Sequence, residues 1–246
     1  MSTFAANNIT TWFGGYDMTA DTNQTTMPIE YEALISTTMG PAGTRTAHSR
    51  VAGLESVSSQ VAGFAQFGVG LVDEAAFNAL GGTVQVITHS HDGVEGSPAY
   101  FYQSRAFTYQ VFGDVGQLTP FNLTAQASKG NGSPGAIRGA VLKTKANVVA
   151  TGATGTGNQL GAVAADQFLY AALHVFGVGT TITAVLESDD NSGFTSATTR
   201  ATFGPITAAG GTWATRVPGA ITDTWYRLRV TAITGTFSIA CVAGIK

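Results

Sequence analysis

Apolar and polar residues alternate with a period of two along most of this chain, the spacing of strands that pack against other layers. Over 29–35, Ile29, Tyr31, Ala33 and Ile35 share one side, and Glu30 and Glu32 take the other. Segment 181–187 puts Ile182, Ala184 and Leu186 together. In 224–233, Tyr226, Leu228, Val230 and Ala232 point inward, opposite Trp225, Arg227 and Arg229. The last run, 236–245, aligns Phe237, Ile239, Cys241, Ala243 and Ile245. Segment 99–112 is aromatic on both sides, which predicts a strand covered on each face.

Helical spacing is nearly absent. One short helix is predicted over 73–80 (DEAAFNAL), with Asp73 set to cap it and Gly81-Gly82 to stop it. Clusters of turn residues at 129–135, 151–158, 189–193 and 207–212 separate the strand runs. The 151–158 stretch (TGATGTGN) is the most linker-like, so a boundary is expected near 145–158. The predicted fold is all-β: a β-barrel or sandwich domain with one short helix over 1–145, then a smaller β-sandwich or jelly-roll domain over 146–246.

Composition sharpens this picture. Only 11% of the 246 residues are charged, against about a quarter in an ordinary soluble domain, while 31 are glycine. A surface short of charge is suited to contact with further copies of the chain. Residues 1–145 hold ten acidic and seven basic side chains, whereas 146–246 hold five of each. Neither half carries the basic stripe of a nucleic-acid reader. The apolar runs, such as 168–176, are far shorter than the ~20 residues of a membrane helix. The opening residues do not read as a secretory signal, which makes the four Asn-x-Ser/Thr triplets chance.

Candidate chemistry is sparse. His89-Ser90-His91-Asp92 approaches the HxHxD stem of metallo-hydrolases, but Gly93 stands where that stem has its carboxylate. With no further Glu, His or Cys partners in register, a strand end and turn account for it better than a metal. Asp189-Asp190-Asn191-Ser192-Gly193 has the oxygen-rich look of a calcium loop, and it equally has the composition of an Asx-rich turn. Glu30 and Glu32 lie about 7 Å apart along a strand, near the separation of a glycosidase pair, without pocket aromatics beside them. Cys241 is the single cysteine and falls on an apolar face, as an inert core residue would. No nucleophile, base and acid converge, so no enzyme, cofactor or metal is expected.

The early segment, from Gly15-Tyr16-Asp17 through the strand bearing Glu30 and Glu32 to DEAAFNAL, resembles the opening of tail tube (major tail) proteins of long-tailed bacteriophages. A long loop with Thr38, Gly40, Thr44 and Arg45, then Gly53-Leu54 and Gly63-Phe64, carries the likeness. Later stretches GAIRGAVL, GNQLGAVAADQFLYAALHVFGV and ESDDNSGF extend it. Gly40-Pro41-Ala42-Gly43 departs from the pattern where an acidic residue is expected, so no loop salt bridge is carried over.

The resemblance implies a tail-tube-like first domain whose copies form rings, usually hexameric, stacked into a tube in the virion tail. It implies other tail proteins as partners, passage of double-stranded DNA without specific binding, and no membrane, for a protein made in the host cytoplasm. The loop at 37–50, with Thr38, Gly40, Thr44, Arg45 and Arg50, would reach a neighbouring subunit. Glu30 and Glu32 would face an acidic channel, where phosphate is repelled. Two rival readings remain at this point. One is a carbohydrate-binding or adhesion module using Trp213, Trp225 and Tyr226 as stacking faces; the other is a capsid decoration protein.

Overall fold

The computed structural model describes residues 9–36, 49–128 and 134–246. The first part of the chain lays down β1 (Thr10–Phe13), β2 (Tyr16–Asp17), β3 (Thr22–Thr26), β4 (Ile29–Ile35) and β5 (Arg50–Phe64). A helix, α1 (Val72–Ala79), precedes β6 (Gln85–Ser90), β7 (Pro98–Val111), β8 (Pro120–Ala127) and β9 (Ile137–Val148). Then come β10 (Gly152–Ala153), β11 (Asn158–Gln159), β12 (Phe168–Gly177), β13 (Thr181–Asp189) and β14 (Thr198–Ile206). The chain ends with β15 (Gly210–Trp213), β16 (Val217–Pro218), β17 (Trp225–Thr234) and β18 (Phe237–Ile245).

These strands form two sheets. The larger follows the order β15-β12-β18-β9-β7-β6-β1-β2, with β8 and then β5 branching from β7, and β3 and β4 end to end along the far edge of β5. The smaller is β10-β17-β13-β14, with β11 also on β17. The fold is all-β, as the period-two pattern predicts, with a single short helix among the described residues.

Three apolar clusters explain why the strand runs look as they do. The large sheet curls, and its inner face gathers Trp12, Val86, Phe101, Val141, Tyr170 and Val242. The outer face of β12, β18 and β9 packs on the small sheet, where Leu173, Ile239 and Cys241 meet Ile182, Leu186, Phe203 and Leu228. The outer face of β5 to β8 packs under α1, where Tyr102, Val61, Leu123 and Ile87 meet Val72 and Ala76. Strands β12 and β18 are therefore covered on both sides and read as nearly unbroken apolar runs. Burying each such large side chain contributes about 1.5–3 kcal/mol.

The curl stops short of a barrel. A Cβ at Gly211 on β15 would lie 2.8 Å from Val86 Cβ on β6, so the two ends of the sheet touch. No ladder joins them among the described residues. The boundary expected near 145–158 falls at the end of β9, which pairs with β18 across a long stretch from Gly139↔Gly244 to Val148↔Phe237. The Gly/Thr stretch at 151–158 lends β10 and the start of β11 to the edge of β17.

Two local expectations are corrected. Asp73 does not cap the helix: Leu71 occupies that position, and the Asp73 carboxylate accepts a 2.7 Å hydrogen bond from the Tyr109 hydroxyl. Gly81 does end it, in the left-handed region at φ +62°. In β17 the inward series breaks after Val230, because a register shift opposite Thr183/Ala184 turns Ala232 outward and Ile233 toward the core.

Candidate assembly interface

Strand β5 leads two lives. Its second half pairs with β3 on one edge and β8 on the other and buries Val57, Ser59 and Val61. Its first half, 50–57, pairs with β4 alone, from Ile29↔Val57 to Ile35↔Arg50. The result is a two-stranded arm leaving the body of the protein. Every residue of β4 is exposed and, of 50–57, only Val57 at the root is buried, so both faces of the arm are bare beyond it.

The bare surface is apolar. Ile29, Tyr31, Leu34 and Ile35 stand out on β4, and Val51 and Leu54 on β5; Ile35 is 63% exposed and Leu54 81%. A register shift sets Gly53 and Leu54 against Glu32, and the Glu32 side chain lies over Gly53. An isolated two-stranded ribbon is marginal in water, and an open apolar edge is a template for pairing. The arm therefore has the physical character of half an interface.

Its base is held firmly. Glu55 accepts hydrogen bonds from the Tyr31 hydroxyl at 2.8 Å and the Ala136 amide at 3.1 Å, and it forms an ion pair with Lys246. The Lys246 ammonium also donates to the carbonyls of Pro134 and Ala136. Gly135 makes room for this knot, since a Cβ there would come 2.7 Å from the Glu55 carboxyl carbon. The carboxylate beside Tyr31 raises that phenol above its ordinary value. Glu55 thus ties the base of the arm to Lys246 and to the Ala136 backbone.

Of the residues singled out in the sequence, Glu30 and Glu32 both lie exposed on the arm, and Arg50 opens β5 at its outer end. Thr38, Gly40, Thr44 and Arg45 fall outside the described residues, as does His48. Sequence reasoning missed a second bare surface at the opposite end of β5. There Phe64, Phe67, Val69, Phe112, Val115 and Leu118 are exposed, with the Phe67 and Phe112 rings stacked at 5.8 Å. The signal was present: QFGVGL and VFGDVGQL set apolar side chains among glycines, where loops ordinarily carry polar ones.

The remaining candidates are structural. The Tyr102 hydroxyl donates to Ser59 at 2.6 Å, and His89 is hydrogen-bonded through Nε2 to Ser59 at 2.8 Å and through Nδ1 to Thr11 at 3.1 Å. His89 is thus satisfied within the core, while His91 lies past the strand end beside Asp92. The two histidines do not share a site. Nδ1 of His174 donates to the Gly14 carbonyl and its Nε2 accepts from Thr88, each at 2.8 Å. Burial lowers both His89 and His174 to about 4.

The oxygens of Asp189 accept from the amides of Asp190 and Ser196 and from the Asn191 side chain, the bonding of a turn. Among the described residues no group of three or more His, Cys, Asp or Glu is placed to hold a metal. Cys241 is buried in the core, which pushes its thiol pKa up. Tyr226 is fully buried, and Trp213 packs at a tilt on Phe101 and Tyr170, so the three supposed sugar-stacking aromatics form no common platform. A groove of about 490 Å³ holds Arg200 and Arg216, but Arg200 is paired with Asp223 and Arg216 lies over the Phe168 ring.

No protein-family model matches this chain, and no curated protein matches it. Among solved structures, it is similar to a chain of the virion of a native gene transfer agent particle, at 14% identity and a TM-score of 0.40, over 52% of this chain and 96% of that one. It is also similar to the SPP1 Dit protein, described as a paradigm of the hub adsorption apparatus in phages infecting Gram-positive bacteria. That match has 14% identity and a TM-score of 0.36, over 97% of this chain and 99% of the other. Both neighbours are virion or phage adsorption components.

Proposed function

We propose that the chain is a structural, non-enzymatic protein of a phage virion that assembles with copies of itself into stacked rings, hexameric as in tail tubes, enclosing a channel for double-stranded DNA. The observation that carries this reading is the arm: a rigidly rooted ribbon with apolar side chains on both faces and no covering layer among the described residues. A lone soluble protein gains nothing from such a feature, whereas a subunit buries it against a neighbour. The small number of charges fits the same economy of surface. The resemblance to tail tube proteins supplies the ring and the channel, and the acidic arm residues Glu30 and Glu32 fit a wall that repels phosphate.

Negative-stain imaging of the purified protein tests this directly, with rings or short tubes as the expected result. A strictly monomeric species at high concentration overturns it. For the channel wall, reversing Glu30 and Glu32 together to Lys is expected to impair genome ejection more than tube assembly. Normal infectivity of that double variant removes the two residues from the channel.

A further inference from the structure

We propose that the two bare apolar surfaces are complementary halves of one contact, in which the arm of one copy docks on the aromatic end of the next. This rests on the reading of the chain as a self-assembling subunit and assigns the surface that receives the arm. Leu54 and Phe64 are ten residues apart on one continuous strand, roughly 33 Å by the strand rise. The halves therefore cannot meet within a single chain. A contact between unlike surfaces at opposite ends of a molecule is heterologous, and it repeats from copy to copy without using itself up.

Charge selects this pairing over arm against arm. The described arm carries Glu30 and Glu32 on one strand against a single exposed cation, Arg50, at its outer end, so two arms side by side would bring a net excess of like charge together. The aromatic end is built from 64–71 and 111–120, which contain no Lys or Arg and one acidic residue, Asp114. It is a nearly neutral seat for the apolar side chains of the arm.

Size is sufficient for a real contact. Phe64, Phe67 and Phe112 are 45%, 51% and 74% exposed. At about 200 Å² per ring side chain they alone offer roughly 300 Å². That is already the scale of the largest patch on a typical monomer, before Val69, Val115 and Leu118 are added. Pairing the aromatic end with itself would cover this surface but leave the arm bare.

The test uses two full-length variants, one disabled at each half. The arm variant carries Ile35→Ser and Leu54→Arg. The aromatic-end variant carries Phe67→Gln and Phe112→Asn, the latter suited to the positive φ of 74° at that position. All four side chains are exposed, and unchanged thermal melts establish that both variants fold. In sedimentation velocity, each variant alone is expected to stop at a species of fixed size, one copy or one ring, while the wild type grows. An equimolar mixture is expected to double that size and go no further, because one intact arm meets one intact seat. Doubling by either variant alone overturns the proposal, as does a mixture that stays undoubled while the wild type elongates. A wild type that never assembles removes the underlying reading instead, and that is seen before any mixing.

Discussion

Strands β4 and β12 are built from similar residues and end in opposite surroundings. IEYEALI and FLYAALHVFG are both rich in aliphatic and aromatic side chains. In β12 each face is covered, by the small sheet on one side and by the curl of the large sheet on the other. In β4 neither face is covered, and one edge has no ladder among the described residues. Composition sets how much apolar surface a strand presents. What covers it depends on which other strands fold back over it, and for β4 the described chain supplies one neighbour, β5.

That contrast can be broken or sharpened by measurement. Phe237→Ala, beneath the small sheet, is expected to lower the unfolding free energy by about 3–5 kcal/mol in urea titrations, through lost burial and a residual cavity. A loss below 1 kcal/mol would show that this core is not packed as described. His89 and His174 sit near 4 in the folded protein and near 6.5 unfolded, so the unfolded chain binds more protons between those values. Stability is therefore present above about pH 6.5 and lost as pH falls toward 4, by roughly 3 kcal/mol per histidine. His174→Gln is expected to reduce that slope in melts taken across the window. An unchanged slope would assign the acid sensitivity to carboxylates.

Smaller effects belong to the arm. Lys246→Ala leaves the half-buried Glu55 carboxylate without its cation and is expected to cost about 1–2 kcal/mol. Faster amide exchange confined to 29–35 and 50–57 is the signature that separates loosening of the arm from general unfolding. Smallest of all, Leu54→Ala is expected to change the stability of the isolated subunit by about 0.5 kcal/mol or less while weakening assembly at least tenfold. Equal effects on both would place Leu54 inside the fold rather than at a contact.

Much of the fold was legible because alternation is a local property. The faces of 181–187 and 236–245 are as the sequence predicts, and Phe237, Ile239, Cys241 and Ala243 all enter the core beside the small sheet. The helix was visible in DEAAFNAL and its stop in Gly81. Other features depend on partners far away in the chain. The pairing of β9 with β18, across some hundred residues, leaves no mark in either strand alone. The same is true of the histidines, whose partners Ser59, Thr11, Thr88 and Gly14 come from other elements. For the candidate interface, Glu30 and Glu32 were found as surface residues, and the bareness of the opposite face, with Ile29, Tyr31 and Ile35, was not. A polar-apolar alternation says that one side of a strand is oily, and it is silent about whether anything lies against it.

Strand β5 runs unbroken for 15 residues from the arm to the aromatic end, about 45 Å of extended backbone. Docked head to tail, copies would be strung along this strand as links in a cable. A pull on one arm would travel through the covalent bonds of β5 to the next copy. The flanking β3 and β8 ladders would be loaded in shear, many hydrogen bonds at once, rather than unzipped one by one. An assembly built this way would resist stretching most strongly along the direction in which it grows.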